Sequence, residues 1–141
     1  MTLFPALNQL ILKTFFGERP ADEDVNSMTL EQIKNLLGCQ VLTPEFDLSV
    51  EVSTVLASDG MSEILAFHSP GALMVTGLTN IQSVRTADVA DVRAIVYIRG
   101  KWIGEKTIEL ARQKEIPVLT TPLGMFDVCG ILREHGMKGA M

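Results

Sequence analysis

Apolar residues follow two alternating patterns along most of the chain. Short runs that are almost uninterrupted and rich in Val, Ile and Leu are typical of strands buried on both faces. Each run is followed by a segment whose apolar residues recur at spacings of three and four, which is typical of an amphipathic helix. The predicted strands are 72–76, 93–98 and 117–121, and the predicted helices that follow them are 78–90, 104–115 and 124–136. This alternation predicts an α/β fold, with a mostly parallel sheet and helices on its faces.

The segment before these units predicts one more helix and two more strands. Thr29 and Gln32 have the spacing of a capping box, and the apolar stripe after them ends at Gly38, a residue that suits a helix C-terminus. A short strand is predicted over 39–42. A longer one is predicted over 50–57, where apolar and polar residues alternate and β-branched residues are frequent.

The first 27 residues are patterned differently from the rest of the chain. Near the N-terminus, apolar residues at helical spacing predict an amphipathic helix. The stripe consists of Leu3, Leu7, Leu10, Ile11 and Phe15. Residues 17–27 are rich in charge and contain Gly and Pro, which is typical of a linker. We therefore predict an N-terminal helix and linker over 1–27 and an α/β domain over 28–141. The helix either folds back on its own domain or packs on a second copy or a partner.

The composition favours one globular domain and limits its partners. The chain has 141 residues, of which 47% are hydrophobic, enough for a single packed core. Its net charge of −5 gives no general attraction for nucleic-acid phosphates. The sequence has no apolar run of membrane-spanning length and no signal-peptide pattern. Cys39 and Cys129 lack metal-ligand spacing and suit a reducing compartment. We expect a cytoplasmic protein that binds neither nucleic acid nor membranes and holds no metal or cofactor.

Polar side chains follow four of the predicted strands directly. In an open parallel sheet, ligands bind beyond the carboxyl ends of the strands, because loops and helix N-termini converge there. The candidate ligand-binding residues at this edge are Ser58, Asp59, Gly77, Thr79, Asn80, Arg99, Gly100, Thr120 and Thr121. Lys101 lies beside them, and Arg85 reaches the same edge only if its side of the predicted helix points that way.

Two interpretations of these residues stay open at this point. The cations Arg99 and Lys101 gain nothing from nearby helix N-termini, so a bound anion would account for them. Arg99 and Lys101 could equally be solvated side chains, or form an ion pair with Asp59 or Glu105. The hydroxyl and amide side chains could also serve only as helix caps.

Catalytic motifs are missing from the sequence. It contains no GxGxxG, no GxxxxGK[ST] and no GxSxG. Neither of the two histidines, His68 and His135, has a nucleophilic residue at a sequence spacing that would indicate a catalytic pair. Asp59 is the one obvious base at the predicted edge. We therefore predict no catalytic residues.

Three stretches resemble the DRTGG domain family: SDGMSEILAF, GALMVTGLTNIQSVRTADVADVRAIVYIRGK and ELARQKEIPVLTTPLGMFDVCGIL. The likeness covers residues 28 to about 137. It implies an α/β domain similar to the N-terminal domain of the HPr kinase/phosphorylase. Members are fused to CBS domains or phosphotransacetylases, or stand alone near iron-only hydrogenase genes. The family is regarded as regulatory or ligand-binding and is often dimeric.

The chain departs from the pattern that names this family. Thr79-Asn80 stand where the family has Asp-Arg, and of the Thr-Gly-Gly triplet only Gly100 matches, after Ile98 and Arg99. We therefore do not expect a ligand that depends on the Asp-Arg pair, and we expect Arg99 to bring a positive charge to the same edge.

The first hypothesis is a non-catalytic homodimeric regulatory domain that binds a small anionic ligand, such as a nucleotide, at the strand edge. The alternative is a protein-interaction adaptor that docks through the N-terminal helix, with a link to hydrogenase or redox metabolism. A third is a small enzyme with Asp59 as its base.

Overall fold

A six-stranded sheet forms the centre of the protein, in a computed structural model that describes residues 26–140. In chain order the elements are β1 (Met28–Thr29), α1 (Leu30–Leu37), β2 (Gln40–Val41), β3 (Glu51–Val52), β4 (Thr54–Ala57), α2 (Met61–Ala66), β5 (Leu73–Thr76), α3 (Ile81–Val89), β6 (Ala94–Tyr97), α4 (Glu105–Gln113), β7 (Val118–Thr120), α5 (Met125–Glu134) and β8 (Lys138–Gly139). The strand order is β2-β7-β6-β5-β4-β8, and β4 to β7 pair in parallel. The predicted α/β fold with a mostly parallel sheet is confirmed.

The central strands are apolar on both faces because each face packs against helices. In β5, Leu73 and Val75 belong to one core, while Met74 between them belongs to the other. The first core also contains buried residues of α1 and α5, and the second contains buried residues of α2, α3 and α4. Two helical layers around one sheet explain why these strands lack the polar alternation of a half-exposed strand.

Helix α1 begins and ends where its sequence predicts. The Thr29 hydroxyl accepts a hydrogen bond from the backbone N–H of Gln32 (3.1 Å), and the Gln32 side chain accepts one from the N–H of Thr29 (2.9 Å). At the other end Gly38 takes a left-handed conformation with φ +62°, as is usual for the residue that follows a helix.

The predicted strand over 50–57 is two strands, separated at Ser53. β3 pairs antiparallel with β1 in a separate two-stranded sheet, whereas β4 joins the main sheet between β5 and β8. The edges of the main sheet also differ from a simple parallel arrangement. β2 is antiparallel to β7, and β8, which the sequence does not predict, is parallel to β4. These differences arise because strand pairing depends on contacts between residues that are far apart in the sequence.

The predicted N-terminal helix and its stripe, with most of the linker, lie outside the described residues. Within residues 26–140, none of the helices combines the length and apolar character needed to cross a membrane.

Candidate functional site

The carboxyl ends of β4, β5, β6 and β7 meet at one edge of the sheet, as their parallel pairing requires. The loops that follow them are in direct contact. The backbone N–H of Gly77, after β5, donates to Asp59 Oδ1 after β4 at 2.7 Å. Lys101 Nζ, after β6, donates to the Gly77 carbonyl oxygen at 2.7 Å. The edge predicted from sequence therefore exists.

Asp59 connects three loops through its carboxylate. Besides Gly77, its Oδ1 accepts a long hydrogen bond from the Thr76 hydroxyl (3.4 Å), and its Oδ2 lies 3.7 Å from Arg99 Nη2. The Asp59 and Arg99 side chains are 53% and 44% exposed, so the ion pair is weak. Of the two interpretations of Arg99, an ion pair with Asp59 is the one that the structure contains.

Gly77 has a steric role beneath Arg99. A Cβ atom at this position would lie 2.8 Å from Arg99 Cζ and closer still to Nη2, so any other residue would require the half-exposed guanidinium to shift. Arg99 itself has a left-handed backbone (φ +65°), and its N–H donates to the Leu123 carbonyl at 2.8 Å. Since protein groups already bind both cations, a bound anion is not needed to account for Arg99 and Lys101.

Ser58 and Asn80 organise their own turns. The Ser58 hydroxyl accepts from the N–H of Gly60 (2.9 Å) and donates to Glu63 (2.7 Å). Asn80 is the N-cap of α3, its Oδ1 accepting from the N–H of Ser83 at 3.2 Å. For these two candidates the structure shows local capping and turn contacts.

Thr79 and Arg85 contribute less to the edge. Thr79 accepts a 3.3 Å hydrogen bond from the Thr107 hydroxyl through its backbone carbonyl. Arg85 lies on an exposed position of α3 and forms no hydrogen bond or ion pair with the residues that the structure describes. Arg85 is therefore not joined to the contacts between Asp59, Gly77 and Lys101.

Thr120 and Thr121 differ sharply in how their hydroxyls are used. Thr121 is buried, and its Oγ1 donates to the Leu37 carbonyl at the end of α1 (2.6 Å) while its own carbonyl accepts from the N–H of Gly100 (2.9 Å). Thr120 Oγ1 is also buried but finds no hydrogen-bond partner among residues 26–140. A buried hydroxyl without a partner is costly, and among residues 26–140 Thr86 Oγ1 in α3 is in the same state, so the missing partner does not by itself mark a ligand contact.

A groove of about 1040 Å³ lies next to these two threonines. We call it the Trp102 groove; its lining includes Gly100, Lys101, Trp102, Gly104, Lys106 and Thr120. Gly100, Thr120 and Thr121 are the predicted site residues that line it, whereas Ser58, Asp59, Gly77, Thr79, Asn80, Arg85 and Arg99 do not. The predicted edge is thus divided between a network of internal contacts and an open groove beside it.

Trp102 is the main feature of this groove that the sequence reasoning missed. Its side chain is 82% exposed, which is unusual for an indole, and it lies 3.6 Å from the position of a Cβ on Gly104. Gly104 is the N-cap of α4 and gives no side-chain cap, so the first backbone N–H groups of the helix stay open. The signal was in the sequence: the one tryptophan of the chain stands in a loop with two glycines between a strand and a helix.

Beneath the edge, Tyr97 and Ser83 form a buried hydrogen bond of 2.6 Å between their hydroxyls. Burial raises the pKa of Tyr97 to about 12, and the bond with Ser83 partly offsets that rise. The contact joins β6 to the first turn of α3, and so holds two of the site's supporting elements together.

The Asp59 carboxylate at the edge and the imidazole groups of the two histidines are engaged in contacts with the protein. Asp59 uses its carboxylate in contacts with the protein, and the Nδ1 atoms of His68 and His135 each bond to a backbone carbonyl of the preceding helix. Among residues 26–140, no three His, Cys, Asp or Glu side chains are close enough to hold a metal ion.

A solved structure with a similar fold contains the CBS and DRTGG domains of the regulatory region of a Clostridium perfringens pyrophosphatase, in complex with its activator diadenosine tetraphosphate. The match has a TM-score of 0.64 at 18% sequence identity and covers 92% of this chain. The chain spans 57% of that structure's length. No family model and no curated protein matches the chain. The chain thus shares its fold with part of that structure.

Proposed function

We propose that the chain is a non-catalytic regulatory domain of the DRTGG type, which binds a small anionic ligand with an aromatic base in the Trp102 groove. A nucleotide has both features. The observation that carries the proposal is the exposed Trp102 beside the uncapped N-terminus of α4.

The aromatic half of such a ligand has a partner in Trp102. Stacking of a base on an aromatic side chain contributes about 1–3 kcal/mol and tolerates any base, because every base has a π face. An indole that is 82% exposed keeps apolar surface in water, and a stacked ligand would remove that surface from water.

The anionic half has partners around the indole. A helix N-terminus with open N–H groups and a positive dipole favours phosphate. Lys106 lines the same groove, and so does Lys101, whose Nζ already donates one of its hydrogen bonds to the Gly77 carbonyl. Glu105 beside them partly opposes their charge. The groove is also large enough for a nucleotide.

The fold comparison supports the regulatory half of the proposal. The similar region of the pyrophosphatase is regulatory, and the nucleotide in that structure is an activator. Since it includes CBS domains as well, we base the nucleotide preference on the groove itself.

Fluorescence of Trp102 tests the proposal directly, because the chain has one tryptophan. Titration with ATP and with diadenosine tetraphosphate should give saturable quenching, whereas inorganic triphosphate should compete without stacking. Lys106→Ala should weaken binding by about 10-fold, the loss of one charge-assisted contact. Lys114→Ala is the matched control, since Lys114 caps the other end of α4 and pairs with Asp88 at 3.3 Å.

Three results would contradict the proposal. One is the absence of saturable quenching at millimolar nucleotide. Another is equal binding by the Lys106→Ala and wild-type proteins. The third is turnover of the bound nucleotide that is lost in Asp59→Asn, which would favour the enzyme hypothesis.

A further inference from the structure

A second groove, of about 370 Å³, lies on the opposite part of the molecule between α5 and the β4–β8 edge of the sheet. We call it the Phe126 groove; the residues that matter most are Val55, Ala57, Phe126, Cys129, Gly130 and Met137. Its floor is the first-core face of β4, where Val55 and Ala57 are only partly buried. α5 covers the neighbouring strands but leaves this edge open.

The side of α5 that borders the groove is apolar although it is not packed. Phe126 is 89% exposed, and Cys129 and Gly130 follow it at helical spacings of three and four. The buried residues of α5, Val128 and Leu132, belong to a different stripe. α5 therefore has a second apolar stripe, next to the one that packs on the sheet.

Gly130 makes this surface suited to another helix. Glycine weakens a helix interior, and nothing lies within 4 Å of the Cβ that it lacks, so the structure shows no internal reason for glycine at this position. A missing side chain there allows a second backbone to approach α5 closely.

The described chain begins at the end of this groove. A Cβ on Gly136, which has φ +88°, would lie 2.9 Å from the Asn26 side chain, so Asn26 lies against the turn after α5. The next residue, Met137, lines the groove. The tether formed by residues 17–25 can extend to about 30 Å, roughly twice the length of α5. Residues 3–15 can therefore reach every part of the groove.

Charge and polarity agree with this placement. The tether carries Glu18, Asp22, Glu23 and Asp24 against a single Arg19. Arg133 lines the groove and Lys138 follows Met137, at the end where the tether arrives. The acidic residues of the tether therefore have basic partners within reach at the end of the groove where the described chain begins, and the apolar stripe precedes them in the sequence.

We propose that the apolar stripe of residues 3–15 packs as a helix into the Phe126 groove of its own chain. A short tether gives an effective concentration in the millimolar range, which favours the same chain over a second copy. In this arrangement the stripe covers Phe126 and Val55 and is not free to capture a partner. The docking does not depend on ligand binding at the Trp102 groove.

The reactivity of Cys129 in the full chain tests this docking. In wild type a maleimide should modify it slowly. Leu7→Asp/Ile11→Asp, which places charge in the stripe, should speed the reaction by at least ~10-fold, as expected for a thiol that loses its cover. Thr2→Asp/Gln9→Asp is the matched control, because it adds the same charge on the opposite side of the predicted helix.

Cys39 provides an internal reference for folding, since it lies after α1, away from the groove. If maleimide modifies both Cys39 and Cys129 faster in Leu7→Asp/Ile11→Asp, the fold has loosened. The measurement is then repeated with the milder variant Leu7→Ala/Ile11→Ala, whose folding is checked by circular dichroism. The proposal is overturned if Cys129 reacts equally in the stripe variant and in the control. It is also overturned if protection of Cys129 depends on protein concentration and sedimentation shows a dimer that the stripe variant loses, because the occupant is then a second copy.

Discussion

The adjacent residues Thr120 and Thr121 offer a matched pair of substitutions with opposite expected effects on stability. Valine has nearly the shape of threonine, so Thr→Val removes a hydroxyl and changes little else. In Thr121→Val the Leu37 carbonyl loses the hydroxyl that donates to it at 2.6 Å, and the N–H of Leu123 loses an acceptor at 3.3 Å. In Thr120→Val no bond among residues 26–140 is lost, because the Thr120 hydroxyl makes none.

The magnitudes follow from how buried hydrogen bonds contribute. Loss of a buried bond that leaves its partner unsatisfied costs about 1–3 kcal/mol, so we expect Thr121→Val to lower the free energy of unfolding by about 2 kcal/mol. Removal of a buried hydroxyl without a partner should raise it by about 1 kcal/mol in Thr120→Val. For a domain of this size the two variants should melt roughly 10 °C apart.

Urea denaturation followed by far-ultraviolet circular dichroism measures both values, and equal m-values would show that the unfolding transition itself is unchanged. If Thr121→Val were neutral, or if Thr120→Val were the less stable of the two, the assignment of these hydroxyls would be wrong.

Three further predictions concern single side chains. The chain has one tyrosine, so the ultraviolet absorbance of phenolate should report Tyr97 alone, with a pKa of about 12 that falls to about 10 on unfolding. The raised pKa contributes about 2–3 kcal/mol to stability, which is present below pH 10 and is lost as the pH rises through 12. A normal tyrosine titration in the folded state would contradict its burial. Gly38→Ala should cost about 1 kcal/mol in urea denaturation, because φ is +62° there, and an unchanged midpoint would argue against that conformation. Asp59→Ala should destabilise the fold by about 1–2 kcal/mol, because the carboxylate binds the Gly77 backbone N–H at 2.7 Å. Arg99→Ala should cost less than about 1 kcal/mol, because its ion pair with Asp59 is half exposed. The reverse order of the two variants in thermal melting would refute this account.

Local patterns were sufficient for the elements that depend on neighbouring residues. The buried strands β5, β6 and β7, the helices after them and the capping box of α1 follow from periodicities and contacts within about four positions. The predicted parallel sheet also implied that the turns after its strands lie at one edge, and Asp59 and Gly77 meet there.

Tertiary structure alone decided strand partners and the use of each polar side chain at the edge. The segment over 50–57 divides between two sheets, and β8 joins β4, because hydrogen-bonding groups of residues distant in the chain come together there. Arg99 forms an ion pair with Asp59 within the protein, and the open groove lies at Trp102. Neither could be predicted from the sequence, because side-chain directions depend on the packing of the whole domain. Periodicity in the sequence records which face of an element is buried, but it carries no information about which distant residue faces it.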